Sequence, residues 1–160
     1  MSNPLKKRIH KIGSLEIRDW ILEMQDHTSR IQNAIDNDDH DGAWHMVHEF
    51  QRWCYERIEV ENHSLDYAGT LLSVPETFFI RILKKEKKFE KMLVHVIYQA
   101  SADSRDLKYY PKSIKSCFRK CKFQYTDVAE AFSLYENIKK RPFDGAKDFL
   151  EIRATISSWK

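Results

Sequence analysis

Lys108, Lys112, Lys115, Arg119, Lys120 and Lys122 fall within residues 107–125 without a single Asp or Glu, and the same stretch carries Tyr109, Tyr110, Phe118, Phe123 and Tyr125. These side-chain types bind polyanions. Cations displace counterions from phosphates, and aromatic faces stack on unpaired bases. At about 100° per residue, Lys112, Lys115, Arg119 and Lys122 share an arc of roughly 80° on a helix, with Ile114, Cys117, Phe118 and Cys121 opposite. Tyr109 and Tyr110 stand at the helix entrance as stacking candidates, and Phe118 is assigned to the core. Lys84, Lys88 and Lys91 extend the same surface if the helix bearing them packs alongside. The competing readings are a solvated face, cations that pair with acids elsewhere in the chain, and a face for an acidic protein or membrane surface.

Other candidate chemistries are weaker. The helix expected after residue 122, T-D-V-A-E-A-F-S-L-Y-E-N, carries three acids and no cation before Lys139. It would be a poor recognition helix, so duplex DNA is not expected to be read base by base. His40, Asp41, His45, His48 and Glu49 form the densest set of metal-ligand types, with His45 and Glu49 one helical turn apart. The set lacks the H-E-x-x-H order. Asn37-x-Asp39-x-Asp41-Gly42 starts like a calcium loop, but His48 stands at the twelfth position, where Glu is required. No metal is therefore expected, and no Gly-rich phosphate loop or G-x-S-x-G points to a cofactor or an acyl-enzyme. Cys117 and Cys121, one turn apart, are expected to be small apolar residues of an inner face.

Arg57-Ile-Glu-Val-Glu-Asn-His63 has the R-x5-H spacing of small helical ribonucleases of the HEPN type, and in this heptad and its helical character the chain resembles that family. The resemblance implies phosphodiester cleavage, with Arg57 stabilising the charged phosphate and His63 moving a proton. Ile58 departs from the pattern, because a polar residue is usual after the Arg.

The elements that must position these residues are helices. Four Gly and four Pro in 160 residues leave little material for the turns of an all-β fold, and a chain of this length buries a sizeable core. Ser14 is a plausible N-cap for a helix with Ile17, Trp20, Ile21, Met24, Ile31 and Ile35 on one face, ending near Asn37. The next helix starts near Asp39 or Asp41 and turns Ala43, Trp44, Val47, Phe50, Cys54 and Ile58 inward. Together these make a helical hairpin. Residues 63–73 read as a loop or short helix, with a fresh helix start at Ser73-Val74-Pro75-Glu76. Its apolar period runs to Ile97, with continuity across Lys87 left open. Pro111 opens the next helix, Thr126-Asp127 caps another, and Asp144-Gly145 starts the last. In that last helix Phe149, Leu150, Ile152, Ile156 and Trp159 are taken as inward.

The net charge of +3 hides a segregation: residues 1–11 carry +4, residues 12–78 carry −10, residues 79–125 carry +9, and the remainder balances. Three cysteines without paired spacing do not make a disulfide framework, which suits a reducing, cytoplasmic setting. No apolar run has the length of a signal peptide or membrane span, so no membrane insertion is expected. The sequence thus predicts an all-α bundle of six or seven helices: a basic arm at 1–13, for which disorder is one expectation, and a single helical domain at 14–160. The expected function is non-enzymatic binding of nucleic acid by the basic helical face, through backbone or single-strand contacts. The first alternative is a protein-interaction module, an adaptor or inhibitor acting through the acidic N-terminal hairpin. The second is the HEPN-type ribonuclease.

Overall fold

The structure, a computed structural model, describes residues 17–62 and 64–160, without the side chains of Ile17, Arg18 and Leu65. The basic arm, the Ser14 cap and His63 lie outside the described residues. Seven α-helices and no strand occur among those described: α1 (Ile17–Asp36), α2 (His40–Glu61), α3 (Leu65–Lys85), α4 (Phe89–Ala102), α5 (Tyr109–Cys121), α6 (Val128–Lys139) and α7 (Gly145–Ser157). None of these helices is long and apolar enough to cross a membrane. The chain divides into two compact units, residues 1–63 and 64–160.

In the first unit α1 and α2 form the expected hairpin. Asp38 takes a left-handed φ of 56° at the turn, a conformation that Asp tolerates better than most residues. The Asp39 side chain then caps α2 by accepting from the Gly42 N–H. Ile31, Ala34 and Ile35 of α1 are buried, as are Ala43, Val47, Phe50, Trp53 and Cys54 of α2. Trp44 and Ile58 are only half-buried, whereas Trp53 is inside because its indole N–H reaches the Glu23 carboxylate at 3.0 Å. Ile21, taken as inward, is exposed.

In the second unit α4 is the central rod, packed by α3, α5, α6 and α7. Its apolar residues therefore run nearly all round: Leu93, Val94, Val96, Ile97, Tyr98 and Ala100 are buried on several faces. Each fully buried Leu, Ile or Phe contributes about 1.5–3 kcal/mol.

Of the two readings for residues 63–73, a loop or a short helix, the helical one holds from Leu65 onward, but as the first half of a continuous α3 rather than a separate element; Ser64 caps it by accepting from the Tyr67 N–H. Gly69 and Pro75 both lie within this helix. A Cβ at Gly69 would sit 2.1 Å from the Ala102 carbonyl oxygen, so glycine is what lets α3 approach the end of α4. Pro75 is buried, and its missing N–H removes one helical hydrogen bond. The helical run breaks at Lys87, in a left-handed φ of 58°, between α3 and α4. Asp127 and Asp144 cap α6 and α7 as expected, while Leu150 is exposed.

Candidate functional site

The helix of the basic stretch is longer at its start, and shorter at its end, than its periodicity suggested. It begins at Tyr109, with Pro111 inside the first turn where a missing N–H costs little, and it ends at Cys121. Lys122 is the C-cap, left-handed at φ 57°, so it leaves the helical arc on which it was expected to continue the stripe.

The two tyrosines part company. Tyr110 is 2% exposed and donates its hydroxyl to Asp103 Oδ2 at 2.6 Å, so it belongs to the core and offers no stacking face. Burial, then the bond to Asp103, pushes its hydroxyl well above the ordinary tyrosine range. Tyr109 is 54% exposed, its ring 4.7 Å from that of Tyr110. Phe118 is buried as expected, in contact with Phe123 and Trp159.

Asp103 is the hub that fixes this end of α5. Fully buried, it accepts from Arg105 through the backbone N–H at 3.0 Å, Nε at 3.1 Å and Nη2 at 2.9 Å, as well as from Tyr110. Thr70 of α3 adds a bond at 3.3 Å. Burial pushes the Asp103 carboxyl up, but the bonds from Arg105 and Tyr110 outweigh it and hold the group below its ordinary value of 3.8.

With α5 so held, a groove of about 440 Å³ opens between α3, α4 and α5, within the roughly 300–1,000 Å³ of ligand sites. Its rim carries Arg81 and Lys84 from α3 and Tyr109, Lys112 and Lys120 from α5; no Asp or Glu lines it among the described residues. Ile80, Met92 and Val96 give it an apolar floor, and Thr77, Gln99, Ser113 and Ser116 supply neutral polar groups. Lys84 and Lys112 pair with no acid among the described residues, and Lys120 lies 5.4 Å from the centre of the Phe89 ring. The first turn of α5 has neither an acid nor a side-chain cap, so its N–H groups add to the positive potential.

The sequence stripe and this groove share only Lys112. On α5 the groove takes Lys112, Ser113, Ser116, Cys117 and Lys120, whereas Lys115 and Arg119 are exposed on the adjacent arc and Lys108 lies exposed just before the helix. Lys88 and Lys91 line a second depression with Lys87, Glu90 and Lys120. Lys88 is there bonded to Glu86 at 2.7 Å. The expected extension from α3 therefore comes through Lys84, in the same groove as Lys112. Arg81, Thr77, Gln99 and the two serines were not foreseen. Their one sequence signal is that Thr77 and Gln99 place polar groups among the apolar positions of α3 and α4.

The histidine cluster of the hairpin and the cysteines of α5 take ordinary places in the fold; the Arg57/His63 pair is not placed, because His63 lies outside the described residues. His45 pairs with Glu49 at 3.1 Å, His40 lies 3.7 Å from Asp38, and the His48 ring packs on Trp44. Among the described residues no three His, Cys, Asp or Glu side chains are grouped to hold one ion. Cys117 is buried and donates to the Phe89 carbonyl, and Cys121 bonds back to the Cys117 carbonyl. The neighbouring Cys121 side chain, and then burial, raise the Cys117 thiol, and Cys121 is lowered by Cys117 in turn. Glu76, with 1% exposure, meets His95 Nδ1 at 2.5 Å, sealed by Phe79 and Phe149. No protein family, curated protein or solved structure significantly matches this chain.

Proposed function

We propose that the second unit binds nucleic acid, without catalysis, through the groove between α3, α4 and α5. What supports this is one observation: Lys84 from α3 and Lys112 and Lys120 from α5 line the same groove, with no carboxylate in its lining. Three cations brought by two helices to one groove can each neutralise a backbone phosphate of the same strand. The helix after α5 carries Glu130 and Glu136, which disfavours insertion into a major groove and leaves backbone contact as the mode of binding.

Fluorescence anisotropy with a short labelled thymidine or uridine homopolymer tests the reading. Lys112→Glu with Lys120→Glu should abolish binding at low salt and leave the circular dichroism unchanged. The same reversal at Lys115 and Arg119, outside the groove, should weaken binding far less. Full affinity in the Lys112/Lys120 variant rejects the reading.

The protein-interaction alternative rests on the hairpin, where Ile21, Leu22, Tyr55 and Val60 are exposed among many acids. It requires that lysine substitutions at the exposed Glu56 and Glu59, away from the turn that Asp38 and Asp39 build, weaken capture of a basic protein target; unchanged capture counts against it.

A further inference from the structure

We infer that the groove selects single strands, because its floor is built to take an unpaired base while its rim holds the phosphates on either side. The inference rests on the nucleic-acid reading and goes beyond it. A surface that binds backbone alone needs cations and no more. Here the cations of Arg81, Lys84, Lys112 and Lys120 surround a floor made by Ile80, Met92 and Val96, from two different helices. Phosphates gain nothing from such a floor. The planar face of a base does, since it buries apolar area there.

The polar groups beside that floor suit a base edge. Gln99 commits its Nε2 to Thr77 Oγ1 at 2.8 Å and to the Ser73 carbonyl at 3.0 Å, which fixes the side chain and leaves Oε1 as an acceptor for an amino or imino N–H. Ser113 and Ser116 add hydroxyls from α5 that can donate or accept. In a duplex these base edges are already paired and the faces stacked, so the floor stays empty and only the rim engages. Tyr109, exposed on the rim, offers its ring to the neighbouring base of a single strand.

The test measures anisotropy for the full chain, at one fixed salt concentration, with three probes of equal length: a thymidine homopolymer, the same backbone without bases, and a duplex. The single strand should bind on the order of tenfold or more tighter than the abasic strand, the effect of a stacked base. It should also bind tighter than the duplex. Tyr109→Leu and Ser116→Leu, both at exposed positions, should narrow the gap between homopolymer and abasic strand while keeping the salt dependence of binding. Equal affinity for homopolymer and abasic strand, still lost on charge reversal of Lys112 and Lys120, overturns base capture and leaves backbone binding standing. Failure to bind all three probes overturns both.

Discussion

Replacing Asp103 by Asn perturbs the contact that fixes the start of α5, and with it one wall of the groove. The buried carboxylate accepts five hydrogen bonds, two of them on Oδ2, from the Tyr110 hydroxyl and Arg105 Nη2. Asn keeps one acceptor oxygen and puts an NH2 group in place of the other. If the oxygen stays with the Arg105 backbone N–H, the Tyr110 hydroxyl and the guanidinium both face a donor. The guanidinium matters little, because the Arg105 side chain is 58% exposed and regains water. The buried hydroxyl matters more, as a hydrogen bond to a charged group contributes about 1.5–3 kcal/mol. Rotation of the hydroxyl to accept from the new amide recovers part of this, so the expected loss is about 1–2 kcal/mol. Tyr110→Phe removes the donor alone, and the double variant should lose less than the two single losses added, by about 1 kcal/mol. Urea titrations give each value from a shifted midpoint at unchanged slope. Additivity within about 0.3 kcal/mol would mean that the two side chains do not stabilise one another, and would refute the hub.

Two further outcomes follow from the same region. Gly69→Ala gains about 1 kcal/mol of helix propensity, but its Cβ meets the Ala102 carbonyl, and displacing backbone costs about 1–3 kcal/mol or more. The net should be a lowered Tm in a thermal melt; a raised Tm would mean that α3 and α4 are not in this close contact. The second concerns acid. A carboxyl held below its unfolded value stabilises the fold above that value and loses the effect as pH falls through the folded value. For Asp103 the loss belongs below its ordinary 3.8. Burial raises Glu76, with His95 pulling it back, so its contribution has the opposite sign. Wild type should therefore lose stability below this pH more steeply than Asp103→Asn, and parallel stability curves would contradict the assignment.

The helical class and the hairpin were legible because they rest on local signals, apolar period and Asp caps; the break at Lys87 was open in the sequence, since a lysine carries no signal of the left-handed backbone it adopts there. The continuity of α3 was not legible: its first half read as a loop or a short helix, with a fresh start at Ser73. Gly69 and Pro75 are local punctuation, and what overrides them is tertiary, a carbonyl that only glycine can approach and a proline packed inside the unit. Tyr110 was misplaced for a similar reason. Its partner Asp103 lies seven residues away, and no periodicity records a hydrogen bond across a linker. The candidate site was half legible: Lys112, Lys120 and Lys84 could be named from charge alone. The groove itself could not, because its floor comes from Met92 and Val96 on α4, which as a pattern read simply as core, and from Ile80 on α3, which falls outside that pattern.

The central claim is that Lys84, Lys112 and Lys120 neutralise phosphates in one groove, and its most direct measurement is the salt dependence of binding to a single-stranded homopolymer. Each phosphate contact to a single strand contributes about 0.7 to the slope of log Kobs against log salt concentration. The Lys84→Ala/Lys112→Ala/Lys120→Ala variant should bind more weakly, with a slope shallower than wild type by about 2. A variant slope equal to that of wild type would contradict the account.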